Sequence, residues 1–315
     1  MNLQQLRYIC EIAQRGLNIS LAAKALNTSQ SGISKQIKLL EQELGLEIFE
    51  RSRNRIAGIT ASGQKVVALA QEVMGRLNDI RSVSTASESE DSGSLAVAIS
   101  HTQARYVLPE ALGLFTGRYP NVTLTLRHAN PRQIAEMLMA GEADLGVTTE
   151  NDKSIRGLAF LPCRRFERVL IVPEGHALLA VRDLTLADIA RYPLVAYEQA
   201  FTGRRLVERA FGQAGLSPKV ALSAIDADVI KACVERGLGV AILSEVTFDP
   251  ARDAGLRAIP LGALVAPSIT SIAVRHRRLR GYEYDFIAMC SSEWTRARID
   301  GVLSRRDVSD RGSAP

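Results

Sequence analysis

Among these 315 residues there are only four cysteines, Cys10, Cys163, Cys233 and Cys290, set far apart with no Cys-x-x-Cys and no nearby histidine pair. That scarcity excludes a disulfide framework and a structural zinc site. No run of about eighteen apolar residues occurs, which excludes a membrane-spanning helix and a membrane partner. The first residues, Met-Asn-Leu-Gln-Gln-Leu-Arg, lack a basic-then-apolar leader and a small-residue cleavage site, so a cytoplasmic protein is expected. His101, His128, His176 and His276 are scattered, with no His-Glu-x-x-His pair, no Gly-x-Ser-x-Gly elbow and no Walker A loop. Gly237-Leu238-Gly239 follows a helical pattern and lacks the third glycine of a dinucleotide fingerprint. No catalytic residue, metal ligand or cofactor is therefore expected, and the chain does not read as an enzyme.

What is present is ordinary globular composition, 46% apolar and 23% charged, in a length that exceeds one compact core and predicts two or three domains. The formal charge is only +5, from 39 basic and 34 acidic residues. Its distribution is more informative than its size. Residues 1–60 hold eight basic side chains (Arg7, Arg15, Lys24, Lys35, Lys38, Arg51, Arg53, Arg55) against five glutamates, a net +3. Over half the excess thus sits on about a fifth of the chain, as expected where one end meets nucleic acid.

That end has a pattern to match. Leu3, Leu6, Cys10 and Ala13 predict an amphipathic helix ending near Gly16. Ser20 is the expected N-cap of a short helix over 21–26, and Asn27-Thr28-Ser29 is a turn that opens a third. Ile33, Ile37, Leu40 and Leu44 share one face of that third helix, and Gly45 stops it. Its opposite face offers Gln30, Ser31, Ser34, Lys35 and Lys38, side chains suited to base edges and phosphates in a major groove. On an arbitrary helix such a face is merely solvated; after a helix and a tight turn it is the reading half of a helix-turn-helix. Residues 48–55 then form two short extended pieces around a basic turn, a wing whose Arg51, Arg53 and Arg55 suit the DNA backbone or minor groove.

From Ser62 onward Val66, Ala70, Val73, Leu77 and Ile80 recur at spacings of 4, 3, 4 and 3, the period of a helix that pairs along a partner helix. A second copy would supply the second half-site. Residues 84–94, rich in serine, acid and glycine, cannot bury a core and read as a hinge.

Beyond Ser94 strands and helices alternate. Strands are expected at 95–99, 122–126, 144–147, 169–172, 194–197, 220–222, 240–243 and 268–274. Helices are expected at 104–117, 131–140, 203–214 and 226–236, with one long helix at the end. This alternation predicts mainly parallel α/β sheet in two small lobes. Ligands of such sheets sit where strand ends meet helix starts. Two such junctions carry hydroxyls, Ser100-His101-Thr102-Gln103 and Phe201-Thr202-Gly203-Arg204, and Thr148-Thr149-Glu150 is a third polar strand end. Each junction taken alone could be ordinary helix capping; together they suit a small anion.

Ala22-Ala23-x-x-Leu26, Ser29-Gln30-Ser31-Gly32-Ile33-Ser34-Lys35-Gln36-Ile37, Leu40-Glu41, Leu44-Gly45 and Phe49-x-Arg51 together resemble the N-terminal signature of LysR-type transcriptional regulators. Ser31 stands where proline is common there, and Thr60-Ala61-Ser62-Gly63 replaces Thr-Pro-x-Gly. Thr102-Gln103-Ala104-Arg105-Tyr106, Gln133-Ile134-Ala135-Glu136, Leu161-Pro162-Cys163, Phe201-Thr202-Gly203-Arg204, Asp226-Ala227-Asp228-Val229-Ile230-Lys231, Gly237-Leu238-Gly239-Val240 and Asp249-Pro250 resemble the CysB branch of that family.

The resemblance implies a winged helix-turn-helix (1–61), a dimerisation helix and hinge (62–93), and a two-lobed, periplasmic-binding-protein-like α/β effector domain (94–305). In it lobe I spans 94–162 plus 267–305 and lobe II spans 163–266; a flexible tail follows at 306–315. It further implies an activator of sulfur assimilation or of sulfonate and sulfate-ester use, with promoter DNA, further copies of the chain as a dimer or tetramer, and RNA polymerase as partners. The effector would be acetylserine-like or a sulfate- or thiosulfate-like anion, lined by Ser100, Thr102, Gln103, Thr149 and Thr202 and changing lobe closure. Where the branch carries a tryptophan after Leu-Pro-Cys, this chain has Arg164-Arg165-Phe166-Glu167; Phe166 keeps an aromatic wall, and Glu167 adds negative charge. Two competing readings are a solute-binding or enzymatic α/β protein whose N-terminal helices only oligomerise, and a LysR-type regulator of an unrelated pathway.

Overall fold

The computed structural model describes residues 1–52, 55–85, 91–149, 155 and 157–304. They form two compact units, in the main residues 1–88 and the chain from Ser89 onward. The sequence reading of Arg53, Glu150, the middle of the hinge (86–90) and the tail at 306–315 falls outside the described residues.

In the first unit α1 (Leu3–Gln14), α2 (Ile19–Ala25) and α3 (Gln30–Leu44) enclose a core of Ile9, Ile12, Ala22, Ile33, Ile37, Leu40 and Phe49. The start of α2 differs from expectation. Asn18, not Ser20, is its N-cap, its side chain accepting from Leu21 N at 3.1 Å, while the Ser20 hydroxyl donates to Gln30 Oε1. Ser29 caps α3 through Gly32 N, and Gly45 ends it in the left-handed conformation at φ +65°. β1 (Phe49–Ser52) and β2 (Arg55–Ile59) pair antiparallel as the wing.

α4 (Ala61–Thr85) follows, its first turn packed so closely that a Cβ on Gly63 would stand 2.0 Å from the Ile48 carbonyl oxygen. The apolar repeat on α4 divides differently from the predicted stripe. Val66 and Ala70 belong to this unit's own core with Val67 and Met74, whereas Leu69, Val73 and Ile80 are exposed. The face left bare is thus offset from the expected one, because the first half of the helix is consumed by packing within its own unit.

The second unit begins with β3 (Ser92–Ile99), three residues earlier than predicted, then α5 (His101–Tyr106) and α6 (Pro109–Arg118). One helix was expected there; Pro109, with no N–H to continue the ladder, opens the second instead. β4 (Asn121–His128), α7 (Pro131–Met139), β5 (Leu145–Thr148), β6 (Leu158–Phe166) and β7 (Arg168–Pro173) follow. The rest runs α8 (Leu186–Ala190), β8 (Leu194–Tyr197), α9 (Thr202–Gln213), β9 (Val220–Ala224), α10 (Ala227–Glu235), β10 (Ala241–Ser244), β11 (Leu256–Pro260), β12 (Ser268–Arg275), α11 (Gly281–Cys290) and α12 (Arg296–Leu303).

Two lobes result. The first has a five-stranded sheet ordered β4-β3-β5-β12-β6, parallel through β4, β3 and β5 and antiparallel at β12 and β6. The second has an antiparallel sheet β10-β7-β11 and a parallel pair β8-β9. The expectation of mainly parallel sheet is corrected to mixed sheet, since the strands that cross between lobes enter antiparallel. The return of β12 to the first lobe is as expected. The first crossover falls at Glu167, because β6 stays in the first sheet to Phe166. In place of one long final helix there are α11 and α12, separated where Ser291 is extended and the Trp294 indole donates to Pro162 O at 2.7 Å.

Candidate functional site

On α3, Gln30, Ser31, Lys35 and Lys38 are exposed and Ser34 is half-buried, while the Ile33, Ile37 and Leu40 side is fully buried. The helix therefore presents the polar face expected of a reading helix. Glu41 fixes the wing to it, its Oε1 accepting from Ile48 N at 3.0 Å and Phe49 N at 3.2 Å while Oε2 pairs with Arg51 at 2.8 Å. Arg51 is thereby engaged by a carboxylate, whereas Arg55 at the start of β2 is exposed.

In the second unit the polar junctions gather along one edge of the first lobe's sheet. Ser100 follows β3 and Thr149 follows β5, the neighbouring parallel strand, where Ile99 is level with Val147. Ser100 occupies the N-cap position of α5 without making a side-chain cap, so its hydroxyl is not consumed by helix capping. Gln103 is 3% exposed, and its Oε1 accepts from the Thr270 hydroxyl at 2.8 Å. Thr270 lies on β12 one residue beyond the Ser271–Thr148 pair, hence beside Thr149. Phe166, buried, stands farther along this edge opposite Ser268, with the Arg164 guanidinium 5.8 Å from its ring centre. The Glu167 carboxylate pairs with Arg165 at 2.9 Å.

The second lobe closes on this edge through tyrosine. The Thr102 and Tyr197 hydroxyls lie 3.1 Å apart, and burial pushes the Tyr197 phenol up to about 12, so it stays protonated and able to donate. A Cβ on Gly203 would meet Tyr197 Cδ2 at 3.3 Å, which sets the first turn of α9, with half-buried Thr202, against the same tyrosine. Phe201, preceding α9, has no side chain able to cap it. The opening N–H groups of that helix therefore face the junction without a side-chain acceptor.

A polar latch borders the site. Tyr106 OH donates to Asp228, Arg105 pairs with Asp228 at 2.5 Å, and His101 Nδ1 lies 3.4 Å from Asp226. A groove of about 260 Å³ lies elsewhere on the second lobe, along Val207, Phe211, Leu216 and Val220, and includes none of the six predicted effector residues.

The structure places Ser100, Thr102, Gln103, Thr149 and Thr202 at strand and helix ends, as the sequence suggested, and sets beside them Thr270, Tyr197 and Arg168, which the sequence did not single out. Thr270 lies within β12 and Tyr197 ends β8, and neither carried a local signal. Arg168 gave one, a lone cation opening the apolar run Val169-Leu170-Ile171-Val172. Among the described residues no cluster of three or more His, Cys, Asp or Glu could hold a metal, and no helix is long and apolar enough to cross a membrane.

A winged helix-turn-helix followed by a two-lobed α/β effector-binding domain defines a DNA-binding transcriptional regulator. The LysR-family bacterial regulatory helix-turn-helix model matches residues 3–64, and the LysR substrate binding domain model matches residues 88–295. The chain belongs to the LysR-type transcriptional regulators, in their CysB-like branch. It is 43% identical over 304 residues to the HTH-type transcriptional regulator SsuR of Burkholderia cenocepacia, covering 96% of this chain and 99% of that one. To CysB of the same organism it is 41% identical, covering 96% and 97%. The crystal structure of the cofactor-binding domain of the Cbl transcriptional regulator superposes with a TM-score of 0.65 at 34% identity, covering 68% of this chain and 94% of that one. The relatives are transcriptional regulators, so the enzymatic alternative falls.

Proposed function

We propose that this chain activates genes of sulfur assimilation or of sulfonate and sulfate-ester use from the cytoplasm, in response to a small anionic effector held between the lobes. The observation that carries the effector half is the seam itself: Ser100, Thr102 and Gln103 at the start of α5, Thr149 after β5 and Thr202 opening α9 come from three separate places in the chain, and Thr102 and the start of α9 meet through Tyr197. Hydroxyls, one amide and unpaired helix N–H groups bind an anion through directed hydrogen bonds. Sulfate, thiosulfate and acetylated serine have that chemistry, and the similarity to SsuR and CysB favours them. Phe166 replaces an indole donor in this reading, so the ligand keeps an apolar wall and loses one hydrogen bond there.

On the DNA side Gln30, Ser31, Ser34, Lys35 and Lys38 enter the major groove while Arg55 and Arg53 reach the backbone. Arg51, held by Glu41, stiffens the wing as well as lending charge. Ser34→Ala should weaken promoter binding by about tenfold, roughly the 1–3 kcal/mol of a lost base contact. Lys35→Ala should do the same with a shallower dependence on salt. Gel-shift titration at matched salt checks both, with oligomeric state unchanged. Promoter affinity equal to the parent chain in both variants overturns the placement of α3 in the groove.

The effector half is tested by thermal shift of the full chain with sulfate, thiosulfate, N-acetylserine and O-acetylserine. A ligand at about a hundred times its Kd adds about 2.7 kcal/mol and raises the midpoint by several degrees. No shift with any of the four overturns the sulfur assignment.

A further inference from the structure

Arg168 opens β7 and is 3% exposed. Along this strand Leu170 and Val172 face the core beneath α9, with Val207 and Phe211, while Val169 and Ile171 face the core beneath α10. The two-residue period of a strand puts Arg168 on the α9 side. Its head is there: Nη1 and Nη2 lie 3.4 and 3.6 Å from the point where a Cβ on Gly203 would stand, in the first turn of α9.

This guanidinium lacks a counter-charge. Its Nε is buried without a hydrogen-bond partner, and no carboxylate of the described residues forms an ion pair with it. Two other cations buried in this unit are each held by a carboxylate, Lys231 by Asp253 at 2.8 Å and Arg277 by Glu283 at 2.7 Å. A buried charge left unpaired is among the costlier features a protein can carry. Burial depresses the pKa of Arg168, opposed only by the Tyr197 phenol. Directly across the ladder, and so on the same face, Ser244 is 7% exposed with its hydroxyl oxygen unpartnered. The first turn of α9 adds N–H groups that Phe201 cannot cap.

Resting on the reading that the effector occupies this seam, we infer that Arg168, the Ser244 hydroxyl and the N–H groups of Thr202 and Gly203 form its charge-neutralising anchor, which takes the carboxylate or oxyanion end of the ligand. The hydroxyl seam at Ser100, Thr102 and Thr149 reads the neutral remainder. A neutral ligand leaves Arg168 uncompensated, so the anchor selects for anions and not for sulfur as such.

The test is calorimetry and thermal unfolding of the full chain in sulfate-free buffer. The probes are sulfate, thiosulfate, N-acetylserine and O-acetylserine, with phosphate and acetate as anions free of sulfur. Arg168→Met should lose at least tenfold in affinity for every anion that binds the parent chain, and Arg168→Lys should lose less. The unliganded midpoint of R168M should hold or rise, because a buried uncompensated charge has been removed. An arginine that serves only packing gives the opposite pattern, a lowered midpoint with affinity unchanged, and that result overturns the anchor. Should R168M fail to fold, Ser244→Ala and Gly203→Ala leave the arginine in place; parent-like affinity in both overturns the anchor, and weakened anion binding in either supports it. Loss of binding in Thr202→Ala and Gln103→Ala but not in R168M rejects the anchor and keeps the seam. Binding of phosphate or acetate without any sulfur compound, lost in R168M, rejects the sulfur reading and keeps the anchor. A parent chain that binds none of the six probes overturns both.

Discussion

Glu283→Ala should cost the effector domain about 3–5 kcal/mol, enough to unfold much of it near physiological temperature. Glu283 is fully buried on the first turn of α11. It accepts from Arg277 Nη1 at 2.9 Å, Arg277 Nη2 at 2.7 Å and Arg280 N at 2.7 Å. Such a fork fits carboxylate geometry and satisfies both oxygens. Removing the carboxylate strands the guanidinium in a site that is 8% exposed, with Asp144 Oδ1 at 3.6 Å as a weaker partner.

The pair has an architectural task. Arg280 and Tyr282 both donate to Ser94 O on β3, so the turn between β12 and α11 clamps the returning chain onto the strand that opens the domain. Losing the clamp frees β12, and with it Thr270 beneath Gln103. Urea unfolding of the parent and E283A chains measures the cost. The double variant Arg277→Met, Glu283→Leu should recover much of it, since replacing both partners by apolar side chains leaves no stranded charge. A cost under about 1 kcal/mol in E283A would mean that water reaches Arg277 and that the clamp holds by packing alone.

The same contrast between local and remote causes decides what was legible in the sequence. α3 was readable from Ile33 to Gly45 because its core face, its cap and its left-handed stop are all local signals. The start of α9 was readable within one residue for the same reason. β6 was not, because Pro162 interrupts its pattern. The strand tolerates proline by lying at the sheet edge, with a register shift opposite it. The cap of α2 is Asn18, two residues before Ser20; Asn caps helix starts as well as Ser does, so the two local candidates could not be ranked from the sequence, and Ser20 bonds Gln30 instead. Antiparallel entry of β12 depends on the chain leaving for the second lobe and coming back. Of the polar seam, the hydroxyls at strand ends were legible since a fold class fixes where such ends meet. Tyr197, Thr270 and Arg168 depend on which strands become neighbours, and only the assembled sheets decide that.

Ile80→Asp, alone or with Leu69→Asp, should abolish self-association and lower affinity for a full operator by a hundredfold or more, the scale of lost bivalency. Leu69, Val73 and Ile80 are 62%, 40% and 67% exposed on α4, spaced four and seven residues apart. They share one face with Arg76, which falls between Val73 and Ile80, on a helix whose opposite side already packs in the core of its unit. A row at that period is satisfied by a second helix with the same row, and a twofold pair brings two reading heads to a palindrome. LysR-type regulators bind DNA as oligomers, which agrees with such a row. An aspartate within it must be desolvated on pairing. Sedimentation measures the loss of association, and gel shift on a full site and on a single half-site separates the two effects. Half-site affinity should be unchanged, since α3 and the wing are untouched, and the salt dependence on the full site should fall to about half as one head's phosphate contacts are lost. An I80D chain that still associates and still grips the full operator would move the pairing surface off α4.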